Sequence, residues 1–269
     1  MRRYLNACKA EWIKVFSTRS WWVLGLVMMV FIAFTAALLS VAMTEFLGMD
    51  TGGVTQIPVV SAYYSLGSAM GYLFPVLLGA LAVTTEYRNH TITPTFLSVG
   101  RRSDVLTAKV TVQGLMGALY GLAALVAAVL ASVFFIIAQG MPTELGLGAT
   151  WLMFGRSLIA MGLWAVLGVG LGALIRSQAG AIVLVIVFTQ FIEPVLRLVG
   201  GFAPQAASAV KFLPGAVSDA FVGQTIYTLM AADAGGEVLV WWQAGLMLAL
   251  YAAVAVVAAG LTRWRGDVT

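Results

Sequence analysis

Six apolar runs, most of them about 20 residues or longer, decide what this 269-residue chain can fold into. A bilayer core about 30 Å thick is crossed by about 20 residues of α-helix. Inside that core each backbone N–H and C=O must find a partner within its own segment, so runs of this length are forced into helices. They lie at 21–43, 59–85, 110–138, 151–175, 179–192 or a little beyond, and 240–261. A β-barrel would instead show short segments of alternating polarity. With 61% hydrophobic and 10% charged residues and a mean hydropathy of +0.97, the chain departs far from the roughly 45–50% and 25% of soluble domains. The expected fold is an all-α integral membrane protein with six transmembrane helices, one membrane domain over residues 1–269.

Composition also narrows the chemistry. Cys8 is the single cysteine and His90 the single histidine, so an internal disulfide and a Cys/His metal cluster are ruled out. The net charge of +4 belongs to basic residues beside apolar runs and forms no basic domain of the kind that binds nucleic acid. No catalytic, cofactor-binding or metal-binding residues are expected on this chain.

Lysine and arginine set the orientation, because they concentrate on the cytoplasmic side of short loops. With six spans, Arg2, Arg3, Lys9, Lys14, Arg19, Arg88, Arg101, Arg102, Lys109, Arg176, Arg263 and Arg265 fall on one side. The opposite side has Glu45, Asp50 and Glu144 in its first two loops without a lysine or arginine, and Arg197 and Lys211 in its third; Arg156 lies just inside the fourth span. The expected protein is multi-pass in a cell membrane with both termini cytoplasmic. The first run is too long, and its polar leader too extended, for a cleaved signal peptide, although Ser40-Val41-Ala42 loosely resembles a cleavage site.

Residues 1–20 carry their own pattern. Tyr4, Leu5, Cys8, Trp12, Val15 and Phe16 recur at helical spacing opposite Arg2, Arg3, Asn6, Lys9 and Lys14. This predicts an amphipathic interfacial helix whose polar face, including Glu11, either only anchors the first span or also meets a cytosolic partner. The other polar concentration is the loop 86–109 between the second and third runs. Its charges serve equally as topology signals or as a binding element, and Glu86 with Arg88 could form a local ion pair of little weight. Ile92, Phe96 and Leu97 favour a docked or membrane-resting helix, since a solvated loop has no use for them.

Both segments resemble a known family. Residues 11–22, Glu11-Trp12-Ile13-Lys14-Val15-Phe16-Ser17-Thr18-Arg19-Ser20-Trp21-Trp22, are similar to the N-terminal signature of ABC-2 type transporter permeases: an acidic residue, a lysine, then a Thr-Arg-Ser-like turn into the membrane. Glu86, Arg88, Thr91 and Ile92, followed by Arg101 or Arg102 and Lys109, resemble that family's Glu-x-Arg-x-x-Thr-Ile segment, basic turn and lysine. Some members share a Thr-Ile-x-Pro-Thr-Phe-Leu run like that at 91–97; here Val99-Gly100 stands where many have a proline before the basic pair. The resemblance implies a non-catalytic half-transporter. ATP and Mg would bind a separate ABC ATPase subunit, and a second permease, identical or homologous, would complete the pathway within membrane lipid. The sequence agrees by omission, as it has no Gly-x-x-x-x-Gly-Lys-Ser/Thr phosphate-binding loop. The family further implies that the 86–109 loop carries a coupling helix, with Glu86, Arg88, Thr91, Ile92, Phe96, Leu97, Arg101 and Arg102 contacting the ATPase and Glu11, Trp12, Lys14 and Arg19 on the flanking helix.

Between the fifth and sixth runs, 193–239 is broken by Glu193-Pro194, Gly200-Gly201, Pro204 and Pro214-Gly215, yet 195–202 and 216–230 are too apolar for a solvated loop. Short re-entrant or surface helices are expected there, with Glu193 and Arg197 at i, i+4 spacing as an ion pair or part of an exit gate. Small-residue spacings at Gly67/Gly71, Gly117/Gly121 and Gly168/Gly172 permit close helix contact. An apolar, aromatic and methionine-rich pathway suits export of an amphipathic or lipid-like compound. Two other classes stay open on the residues alone: a membrane-embedded enzyme, for which only Glu193 and Arg197 approach the needed groups, and a non-transporting scaffold subunit.

Overall fold

The structure, a computed structural model, describes residues 2–47, 57–92, 94–95, 101–138, 140–202, 208–223, 225, 227–228 and 238–262. Helix accounts for about 89% of these residues and none of them forms a strand. Among them are six helices long and apolar enough to cross a membrane: Ser20–Ala42, Val60–Arg88, Arg102–Ala138, Gly148–Ile175, Gln178–Gly200 and Trp241–Thr262. We number the elements α1 (Arg2–Ser17), α2 (Ser20–Leu47), α3 (Ile57–Gly71), α4 (Leu73–Arg88), α5 (Arg102–Ala138), α6 (Gly148–Ile175), α7 (Gln178–Val187), α8 (Glu193–Phe202), α9 (Pro214–Val222) and α10 (Trp241–Thr262).

α6 is the hub of the bundle, packing on α4, α5 and α10. Glycine lets backbones touch there. A Cβ at Gly168 would collide with the Val76 carbonyl oxygen, and one at Gly79 would strike that of Ala165. The expected small-residue spacings are thus used for contacts inside the chain. α3 and α4, which together form the second span, are its most enclosed part, with 78% of the apolar window buried against 17% for the fifth span.

Two spans are irregular, each beside a proline. Proline has no N–H and its ring crowds the carbonyl four residues earlier. Pro75 would crowd Gly71, and the helix breaks at Tyr72, between α3 and α4. Pro194 would crowd Gln190; there the helix widens into a π turn over Phe188–Ile192, with the Glu193 N–H bonded to the Phe188 carbonyl. Pro194 therefore does not end the fifth span. Residues 195–202, expected as a separate re-entrant piece, continue it as α8. The third span also starts earlier than its apolar run. Arg102 and Lys109, expected in a loop, are helical, because Val105 and Leu106 pack with Ile92, Val83 and Ala259 in a small core at this end.

At the opposite end, the 143–144 loop folds over the start of α3. The Tyr64 hydroxyl donates to the Thr143 carbonyl at 2.8 Å and Ser61 to Glu144 Oε2 at 3.3 Å. α9 is too short to span and is buried almost throughout, against α10, α6 and α3.

Candidate functional site

Four charges from three elements converge where α1 crosses the start of α5. Glu11 and Lys14 stand three residues apart on one face of α1, Glu86 lies in the last turn of α4, and Lys109 in the second turn of α5. Lys109 is 1% exposed. Its Nζ donates to Glu11 Oε2 and Glu86 Oε1, both at 2.7 Å, and to the Ala82 carbonyl at 3.2 Å. An ammonium has three protons to give, and all three are taken. Lys14 donates to Glu11 Oε1 and Glu86 Oε1, again at 2.7 Å, and to Thr95 Oγ1 at 3.3 Å. Burial by itself would lower the Lys14 ammonium, but Glu11 and Glu86 outweigh it and hold it above the usual lysine value.

Two carboxylates face two ammoniums, so the cluster is neutral as a whole. That neutrality is what allows buried charge: the desolvation cost of each ion is offset only by close partners of opposite sign. Glu86 Oε1 accepts from both lysines, while its Oε2 is buried without a hydrogen bond. The network clamps the N-terminal helix, the end of the second span and the start of the third into one unit. Tyr4 adds a further tie at its edge, its hydroxyl 2.7 Å from Thr111 Oγ1.

The other residues singled out from sequence fall around this clamp. Glu11, placed on the polar face expected to meet solvent or a partner, points inward. Trp12 is exposed and stacks near Phe16, itself near Trp21, in an aromatic run suited to the headgroup layer. Arg19 is exposed in the turn before α2. Arg88 bonds not with Glu86 but with Gln178 Oε1, at 3.0 Å. The Thr91 N–H returns to the Glu86 carbonyl at 2.9 Å and closes the end of α4. Ile92 is 1% exposed, a plug in this chain's own core. Arg101 is exposed and Arg102 half-buried at the start of α5. Phe96 and Leu97 lie outside the described residues, as do Arg263 and Arg265. The chain matches no family model and no curated protein.

A second buried cluster occupies the opposite end. Glu193, 1% exposed, accepts from Arg197 Nε and Nη2 at 3.1 and 2.7 Å, as the i, i+4 spacing suggested. Sequence reading missed the third member: Arg197 Nη1 reaches Asp219 Oδ2 on α9 at 2.6 Å. Glu193 Oε1 also accepts the Ala216 N–H at 3.0 Å, so its carboxylate caps the positive end of α9. A Cβ at Gly215 would collide with both side chains of the pair. The Tyr227 ring lies 4.9 Å from the Arg197 guanidinium. One cation thus serves two carboxylates. Full burial pushes the Asp219 carboxyl up to about 6, with Arg197 pulling it back down and Glu193 adding to the rise. Next to this cluster, Tyr72 at the break in the second span stacks on Trp164 at 4.5 Å, and Trp164 Nε1 donates to Ser218 of α9 at 3.0 Å. Only a fold could bring residues 72, 164, 193 and 219 together, and no local signal marks Asp219.

Proposed function

We propose that this chain is the membrane subunit of an ABC-2 type transporter, exporting an amphipathic or lipid-like compound together with a second permease and driven by a separate ATPase. The observation that carries this reading is the buried clamp of Glu11, Lys14, Glu86 and Lys109. A lever transmits force only if its ends are rigid. Here the loop after Glu86 leads from a helix end into a helix start that one neutral charge cluster locks together with the N-terminal helix. A push on that loop from the side of the N-terminal helix, which we place in the cytoplasm, would move the second and third spans as a pair. The resemblance of residues 11–22 and 86–109 to the family's signatures supports the same partner. At the far end, the Glu193–Arg197–Asp219 cluster joins the end of the fifth span to α9 and suits a gate that opens when the spans tilt.

Affinity purification of the full chain from its native membrane should bring with it an ATPase bearing a phosphate-binding loop. In vesicles holding both chains, a fluorescent amphiphile should move only with ATP. Arg101→Glu, a reversal at an exposed position, should abolish that movement while leaving thermal stability of the chain intact. Absence of an ATPase from the complex, with no ATP-dependent movement, would overturn the reading.

A further inference from the structure

An open cleft of about 670 Å³ lies on the same side as the charge clamp, between the end of α4 and the start of α7. The second span ends at Arg88, the fourth at Ile175, and the fifth starts at Gln178, so the cleft sits where membrane meets water. Arg88 and Arg176 line it, and among the described residues no carboxylate does. The acid closest in sequence, Glu86, is occupied by Lys14 and Lys109. Arg176 is half-buried and Arg88 exposed, and each side chain has a partner at the cleft. Arg88 donates to Gln178, and Arg176 lies 5.4 Å from the Tyr87 ring centroid.

The backbone at Arg176 is informative. It closes α6 in the left-handed region, with φ at 58° and its N–H on the Gly172 carbonyl at 3.1 Å. Glycine is the usual residue at such a helix end, because a Cβ is strained there. An arginine in that place points to a use for its side chain. Immediately after it, Ser177 caps α7 by accepting the Gly180 N–H. The first-turn amides of Gln178 and Ala179 have no acceptor within the helix, and the positive end of its dipole is directed at the cleft. Two guanidiniums, a helix N-terminus and a concave wall together fit a phosphate group, which arginine holds in a forked geometry. The remaining wall is apolar: Ala179 and Ile182 lead onto the exposed Val183 and Val187 of α7. A cationic head region continuous with an apolar track matches the two halves of a phospholipid.

We propose that this cleft binds an anionic phospholipid, with Arg88 and Arg176 on the headgroup phosphate and the acyl chain running along Ile182 and Val183. The transporter reading is not needed for it. Basic pockets between membrane helices at the charged leaflet are suited to such lipids. The test uses the purified full chain in mild detergent, with bound lipid counted by native mass spectrometry and thermal unfolding followed on titration. Phosphatidylglycerol should remain bound and raise the unfolding temperature, and phosphatidylcholine should not. Arg88→Gln with Arg176→Gln should weaken the apparent affinity at least tenfold. Ala179→Glu keeps both arginines and adds a carboxylate at an exposed position, so it should do the same and decides the matter if the double variant fails to fold. Lys9→Gln, an exposed basic residue on α1, should change nothing. Equal binding of the two lipids, or phosphatidylglycerol binding unchanged in both cleft variants, would overturn the proposal. Inorganic phosphate matching the lipid's stabilisation would also overturn it, assigning the cleft to a free anion.

Discussion

Lys109 is buried as a cation, and its worth depends on the company it keeps. Truncating it leaves Glu11 and Glu86 facing each other across a buried site with only Lys14, itself partly exposed, to balance them. Removing one partner from a buried ion cluster costs about 3–5 kcal/mol, whereas replacing a matched pair by apolar or neutral groups costs far less. Lys109→Ala should therefore lower the unfolding temperature in detergent sharply, and Lys109→Met with Glu86→Gln should recover most of the loss. Additive losses in that double-mutant cycle would show that the charges act independently. Asp219 presents the opposite case, one carboxyl too many for Arg197. Its folded value of about 6 lies above the ordinary 3.8, so the fold favours the protonated acid. Its contribution to stability is full below about 3.8 and is lost as pH rises through about 6, a change on the order of 2–3 kcal/mol. Thermal unfolding measured from pH 4 to 8 should show this decline, and Asp219→Asn should flatten it. A slope unchanged in the variant would mean another group is responsible.

The helices owe their contacts to small residues and their bends to prolines. α6 meets α4 at Gly168, where the Val76 carbonyl occupies the space of a side chain. Because the obstacle is backbone on a packed helix, Gly168→Ala forces the two spans apart. Overpacking of this kind costs about 1–3 kcal/mol, so the variant should unfold several degrees lower. Gly155, with open space around its Cβ position, provides the control: Gly155→Ala on the same helix should be neutral or slightly stabilising. The bends matter differently. Tyr72, at the break in the second span, and Thr189, in the π turn of the fifth, lie side by side, the Tyr72 hydroxyl directed at the Thr189 carbonyl at 3.5 Å. Two places where helical hydrogen bonding is already interrupted are thus adjacent, and both abut the Glu193–Arg197–Asp219 cluster. Local interruptions are where a packed bundle changes shape at least cost, which is why we propose the gate at this end.

Across the whole molecule, charge clusters close the bundle at both ends and apolar packing fills the length between. The spans themselves were legible because the bilayer demands about 20 apolar residues per crossing, and all six observed helices overlap the runs seen in sequence. The N-terminal amphipathic helix and the i, i+4 pair at Glu193 and Arg197 were legible for the same reason: the helical period is local information. Pairings between distant residues were not. Glu11 reads as a solvent-facing charge on an amphipathic helix, and Ile92 as a docking residue, because Lys109 for the one and Val105, Leu106 and Ala259 for the other are far along the chain. Pro194 reads as a helix end because the rule for proline describes a regular α-helix, and the π turn that accommodates it is a response of the packed span. By itself the sequence determined that the chain is helical and which six stretches are long and apolar enough to cross a membrane, since those follow from hydrophobic length and period. Only the tertiary structure decided which charges neutralise one another, which glycines touch backbone and where a cleft with two arginines opens, because each depends on residues brought together from far along the chain.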